Sequence, residues 1–437
     1  MPDLLNLLST SGRAARLLPP HGIFTAPRLQ AYGFAIVAIY TVFFASIYRA
    51  GLWIVDGNGM PIYTDFACAW TATMQALHGD ASILYDPAQF IKVQAALAAP
   101  ADYYYPNWPY PPTLFLFLAP FTKAGYLTGF LAWDIFTLLG FIAVIYIIVR
   151  RLPAVTLALA SPFTAWNFLA SHNGFLTASL LGASLLTLER RPVLAGVFIG
   201  LLTYKPQFGI LFPVALAAAN EWRTFASAAV TAAALAGISI AAFGTIVWQA
   251  LPSQLAAQTT EVFLAGGNAS SAAQWGYIQT IYGLVRLSNG NWGTAWVAQG
   301  LTTIGVAIIV WLVWRSSARY SLKAATLSAA ALIATSYAFA YDMAALAVPV
   351  AFLASDQLRH GLLRGEQSIA IGLFVAIFAA LVIFGDRQVG VTFGSLPLAP
   401  FVVVSIFALI LRRILWDVTH PASSLEPQFK GFETSLT

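Results

Sequence analysis

Apolar residues along this chain come in long unbroken blocks, not in the one-sided stripe of a soluble amphipathic helix. The first block, AYGFAIVAIYTVFFASIYRAGLWIV, starts at residue 31. Candidate membrane spans read from hydropathy are 31–54, 126–149, 153–170, 174–188, 192–203, 206–219, 224–248, 294–314, 322–339, 343–355, 368–385 and 396–411. A helix needs about 20 apolar residues to cross a hydrocarbon core about 30 Å thick. The blocks are rich in Leu, Ala and Ile, are punctuated by Pro and Gly, and lack the alternation of a membrane barrel. Basic residues gather between alternate blocks, at Arg150/Arg151, Arg190/Arg191, Arg223, Arg315/Arg319, Arg359/Arg364 and Arg412/Arg413. Put on the cytoplasmic side, these clusters give an even number of spans with both ends inside. The pattern therefore predicts an all-α polytopic membrane protein of about 12 transmembrane helices.

One block does not fit. Residues 112–122 make a helix of only about 16 Å at 1.5 Å per residue, so a dipping segment is expected there. Two stretches on the outer side, 55–111 and 249–293, are far longer than a helix connection requires, and long loops tend to carry function. The expected organisation is a cytoplasmic tail over 1–30, a transmembrane domain over 31–411 and a second cytoplasmic tail over 412–437.

Composition narrows the class. Of 437 residues, 59% are hydrophobic and 9% are charged, against about 25% charged in a soluble domain. The net charge of +5 resides at span ends and not in a patch, so nucleic acid is not an expected partner. The single cysteine, Cys68, excludes an intramolecular disulfide. The first thirty residues carry Arg13, Arg16 and Arg28 without a cleavable apolar core, and read as a retained tail.

Scarce charges make each acid and lysine informative. In PIYTDFACAW, Asp65 follows the first span among Tyr63, Phe66 and Trp70. Residues 64–78 predict an amphipathic helix at the membrane surface, capped by Thr64 with Asp65 in its first turn. Asp65 is then either a first-turn acid favoured by the helix dipole or a general base. A second helix is expected from Pro87, preceded by Asp86. The run DYYYPNWPYPPTLF, residues 102–115, includes Tyr110 and is stiffened by proline. Its rings suit sugars, lipid headgroups or an interfacial belt. In GLLTYKPQFGILFP, Lys205 lies between two apolar runs beside the helix-breaking Pro206. It either snorkels to the interface or binds a phosphate. Tyr341 and Asp342 mark the outer junction of two later spans, where Asp342 caps the following helix, pairs with a cation or orients a substrate. The turn Ser171-His172-Asn173-Gly174 offers His172 to a sugar or phosphate. Asp134, inside a span, is expected to be paired in the bundle interior, and Gly196 and Gly200 read as helix packing. No DxD, Walker lysine loop, GxSxG or Cys/His metal spacing occurs, so no metal and no cofactor is expected.

In order, these pieces resemble glycosyltransferase family 87. The carriers are Asp65-Phe66, Ala69-Trp70, Leu84-Tyr85-Asp86-Pro87, Tyr110-Pro111-Pro112, Gly196 through Lys205-Pro206, and Tyr341-Asp342. His172-Asn173 stands where a glycine–glutamine turn is expected. The resemblance implies a GT-C-type helical bundle with amphipathic helices in a large first outer loop. It implies inverting transfer of a sugar, mannose in the best-known members, from a polyprenyl-phosphate donor to a glycolipid or glycan acceptor. The place is the outer face of a bacterial inner membrane. Carried over by position, Asp65 is the catalytic base and Lys205 a donor-phosphate contact. His172 and Arg286 are the other phosphate candidates, with Trp70, Tyr110, Tyr341, Asp342 and Asp86 as substrate-binding candidates. The rival from another class is a transporter or flippase of lipid-linked sugars, for which no internal inverted repeat is found.

Overall fold

The computed structural model describes residues 25–78, 81–101, 108, 110–258, 278–383 and 398–419, and helices dominate it. Helix α1 (Ala26–Arg49) leads to a segment that folds into α2 (Asp65–His78) and α3 (Pro87–Leu97) around a 3-10 turn at Ala81–Tyr85. The short α4 (Thr113–Thr122) precedes the long α5 (Tyr126–Val149). Then α6 (Leu152–Ala160) and α7 (Pro162–Ala170) form a pair bent by 62°. Next, α8 (Gly174–Thr187) and α9 (Pro192–Leu201) run in succession to 3-10 turns at Leu202–Tyr204 and Pro206–Phe208. Helices α10 (Phe212–Ala218), α11 (Trp222–Phe243) and α12 (Ile246–Gln258) follow. The remainder comprises α13 (Ile281–Leu287), α14 (Trp292–Arg315), α15 (Tyr320–Ala334), a 3-10 stretch at Ala340–Leu346, α16 (Ala347–His360), α17 (Glu366–Ile383) and α18 (Ala399–Thr419).

Four helices, α1, α5, α11 and α14, are long and apolar enough to cross a membrane, and the bent α6–α7 pair makes a fifth on the same grounds. At 24 residues, α1 is about 36 Å long. Several of the other apolar blocks form helices that are too short to cross unaided or are broken. The run 153–170 is interrupted at Ser161 because Pro162 starts a new helix. The run 224–248 stops at Phe243, where Gly244 adopts φ +82° and α12 begins in a new direction. The first span opens at Ala26 and closes at Arg49, so Trp53 lies beyond it, its indole nitrogen donating to Leu169 O at 2.9 Å. The acid Asp102 and most of the 102–109 aromatic run lie outside the described residues, as do 1–24, 259–277, 384–397 and 420–437.

Helix α15 is buried along most of its length, from Leu322 through Ala334. Its alanines and Ser328 let neighbouring backbones approach closely, as small residues do in membrane bundles. Helices α1 and α11 expose most of their apolar surface, with 6% of each spanning window buried, and so form the rim. Helix α9 packs on α11 through Gly196 and Gly200, where a Cβ would come within 2.5 Å of Thr224 O and 2.8 Å of Ala228 O.

This path gives the bundle two poles. Helix α8 leads away from the 171–174 turn for about 20 Å, reaching Arg190 and Arg191, and α9 returns to Lys205. Lys205 therefore shares a pole with His172 and Asn173, while the arginine clusters occupy the other. There Arg413 ties α16, α17 and α18 together, bonding Asp356 at 2.9 Å and Glu366 at 2.7 Å.

Candidate functional site

Asp65 opens α2 because the chain before it turns on Thr64. The Thr64 hydroxyl accepts from Ala67 N at 3.3 Å, the cap expected from sequence. The face of α2 bearing Phe66, Ala67, Thr71 and Thr73 is buried in protein. Phe66 meets Tyr126 and Phe130 with ring centroids 5.7 and 5.3 Å apart. Trp70 stands edge-on to Tyr126 at 5.5 Å, and its indole N–H has no hydrogen-bond partner among the described residues. This packing leaves Asp65 partly exposed at the end of the helix.

Lys205 interrupts the α9-to-α10 path because Pro206 cannot continue a helix through it. The lysine is 2% exposed, so it does not snorkel. Its ammonium donates to Asp342 Oδ1 at 2.5 Å and to Asn173 Oδ1 at 2.8 Å. It also lies 5.1 Å from the Tyr341 ring centroid, 5.7 Å from Tyr110 and 5.6 Å from Phe208. Asp342 is fully buried, and its second oxygen accepts from Phe339 N at 3.0 Å. It thus pairs with a cation and closes its own turn at once. Buried ionic groups are tolerated at membrane depth when they are paired and hydrogen-bonded in this way.

His172 stacks on Tyr341 at a centroid separation of 3.5 Å. Its Nδ1 accepts from Asn173 N at 2.8 Å, and its Nε2 lies 3.2 Å from the Tyr110 hydroxyl. Nδ1 also lies 3.0 Å from Asn173 Oδ1, so both ring nitrogens have polar partners in the turn and in Tyr110. The turn is tight: Ser171 adopts φ +50°, and a Cβ at Gly174 would lie 2.3 Å from Tyr341 O. The field of Asp65 reaches this cluster, acting on Lys205, Tyr110 and Tyr341. One pole thus gathers Asp65, Tyr110, His172, Lys205, Tyr341 and Asp342, with Trp70 on the same helix as Asp65.

Two other expected residues stand apart. Asp86 caps α3, accepting from Ala88 N at 3.0 Å, Gln89 N at 3.1 Å and Gln89 Nε2 at 2.6 Å. The Gln89 side chain, chiefly, holds the Asp86 carboxyl below the usual carboxylate range. Arg286 lies on α13, the helix that carries the buried Tyr282, and donates to Gly290 O at 3.2 Å. No contact among the described residues joins it to Lys205. Asp134 is fully buried but not paired as expected: among the described residues neither of its carboxylate oxygens has a hydrogen-bond or ion-pair partner.

Sequence reasoning placed His172 in its turn and gave Asn173 no role, yet Asn173 shares the Lys205 ammonium with Asp342. It also passed over Tyr204, whose hydroxyl lies 2.6 Å from Thr177 and 3.2 Å from Asn173 O, bracing the same turn. The available signal was polar side chains flanking short apolar runs.

Among known proteins, no curated sequence and no solved structure matches the chain. A match to the family described as Glycosyltransferase family 87 covers residues 108–339. That is more than half of the chain, and it includes Tyr110, His172, Asn173, Lys205 and Arg286. On this match, the chain belongs to glycosyltransferase family 87 and is a membrane glycosyltransferase.

Proposed function

We propose that this enzyme moves mannose from a polyprenyl-phosphate donor to a glycolipid or glycan acceptor at the outer face of the bacterial inner membrane. It works with inversion and without a metal, on a GT-C-type bundle of about twelve spanning helices. In this reading 55–111 and 249–293 face outward, and 1–30 and 412–437 face the cytoplasm. The observation that supports the reading is the buried Lys205 ammonium, held by Asp342 and Asn173 against the rings of Tyr110 and Tyr341, with His172 stacked on Tyr341.

The chemistry follows from the donor set. Asp65 takes the proton of the acceptor hydroxyl, whose oxygen bonds to the anomeric carbon. The bond from that carbon to the phosphate oxygen breaks, and its electron pair leaves with the lipid phosphate. One base on the face opposite the leaving group gives inversion. Lys205 has three N–H donors, of which Asp342 and Asn173 hold two. The third, fixed in direction by the first two, serves the departing phosphate. Nε2 of His172 and the Tyr110 hydroxyl, 3.2 Å apart, are the other polar groups of this cluster offered to the phosphate. Trp70, with its unpartnered indole N–H, and Tyr341 contact sugar. A lipid phosphate brings its own leaving group, so the missing DxD motif is no obstacle.

The test is direct. Purified protein in vesicles, given labelled polyprenyl-phosphate-mannose and a glycolipid acceptor, should release free polyprenyl phosphate and mannosylated product. Asp65→Asn should lower kcat about 10²–10⁴-fold, the range for losing a general base, with expression intact. Near-normal turnover by that variant removes Asp65 from the mechanism. Movement of intact lipid-linked sugar between leaflets without cleavage favours a transporter instead.

A further inference from the structure

At the pole opposite Lys205, an open cavity of about 440 Å³ lies between α9 and α11, lined by Arg191, Arg223, Val193, Leu194 and Val197 beside Pro192. Neither guanidinium has a hydrogen-bond or ion-pair partner among the described residues. The acids two residues before them in sequence, Glu189 and Glu221, are not in the lining. Both helices begin here, with Pro192 and Trp222 as their first residues. Their N-terminal dipoles therefore add positive potential to that of the arginines.

The cavity opens on the rim of the bundle. Helix α11 is among the least buried spans, and Trp222 and Val193 are 58% and 57% exposed. Its mouth therefore combines a cationic end at the membrane surface with an apolar, lipid-facing flank. The small-residue contact of Gly196 on Thr224 and Ser227 fixes the helix spacing just inside it. Ser227 Oγ donates to Val193 O at 2.7 Å, which braces the lip.

We propose that this cavity binds the phosphate headgroup of an anionic phospholipid, its acyl chains lying along α11. Unpaired arginines recognise phosphate with paired N–H donors, and basic pockets between spanning helices suit anionic headgroups. The arginine-rich pole is the cytoplasmic one by the positive-inside pattern, so the lipid is drawn from the inner leaflet. The inference does not rest on the sugar-transfer reading.

The full-length protein, stripped of lipid in a neutral detergent, would be offered phosphatidylglycerol and phosphatidylcholine of equal acyl chains, with retained adducts counted by native mass spectrometry. Two arginines at a membrane surface predict a preference for phosphatidylglycerol of roughly 30-fold. R191Q/R223Q should reduce it to parity, and R191K/R223K should keep part of it. Equal retention of the two lipids by the native protein overturns the proposal, whatever the variants do. So does an undiminished preference in R191Q/R223Q, which would place the lipid elsewhere. Displacement of bound phosphatidylglycerol by millimolar inorganic phosphate would make the cavity a free-anion site and also overturn the proposal.

Discussion

Lys205 and Asp342 stand 137 residues apart in sequence and 2.5 Å apart in space, both out of contact with water. Removing one partner of such a pair strands a buried charge, at a cost of about 3–5 kcal/mol. Lys205→Met and Asp342→Asn should therefore each lower the unfolding temperature in detergent. The double variant Lys205→Met/Asp342→Leu should recover most of that loss, because well-packed apolar replacements for buried pairs are often neutral. Transfer activity should not return with the stability if the lysine also serves the donor phosphate. Recovery of both in the double variant would reduce the pair to a structural tie. Tyr110→Phe isolates a smaller effect, since it removes only the hydroxyl 3.2 Å from His172 Nε2. A fall in kcat with little change in unfolding temperature is expected, and unaltered kinetics would remove Tyr110 from the site's polar network.

Individual elements set how closely these side chains meet. The α7–α8 turn carries His172 and Asn173, and Gly174 holds it against the 340s because its missing Cβ leaves room for Tyr341 O and Asn167 Oδ1. Gly174→Ala introduces an atom that must displace backbone, and overpacking of this kind costs about 1–3 kcal/mol. A lower unfolding temperature together with reduced transfer is the expected result, and a fully active, equally stable variant would show that the turn has slack. At the start of α3, Asp86→Ala removes a helix cap and should leave kcat near normal with a small loss of stability. A large loss of kcat would return Asp86 to the substrate site. Local chemistry made several of these elements legible in advance. Thr64 before Asp65, Asp86 before Pro87 and Pro206 after Lys205 are short-range signals, and each start or break occurs where they put it. The bend at Ser161–Pro162 lay inside an apolar run, where hydropathy reads one span and only the proline argues for two. The partnership of Lys205, Asn173 and Asp342 was not legible, because no local pattern encodes which distant turns meet.

At the scale of the whole molecule, helix direction separates two poles with different charge. The pole of Lys205 and His172 is served by the segment 55–111, in which Lys92 is the one lysine or arginine. The other carries the arginine clusters and the Arg413–Asp356–Glu366 staple. If the positive-inside pattern orients the bundle, the two poles must face different compartments. Asn58, in the segment that leads to Asp65, and Arg190, at the far end of α8, report on them, both being exposed. With Cys68 replaced by serine, a cysteine at position 58 should react with a membrane-impermeant maleimide on intact spheroplasts. A cysteine at position 190 should react only after the membrane is opened. Labelling of both positions from outside would place the two poles on one side of the bilayer. The reverse pattern, 190 outside and 58 protected, would keep the bundle but invert it. The Lys205 pole would then draw its donor from the cytoplasmic leaflet, and the arginine-lined cavity would open on the outer one.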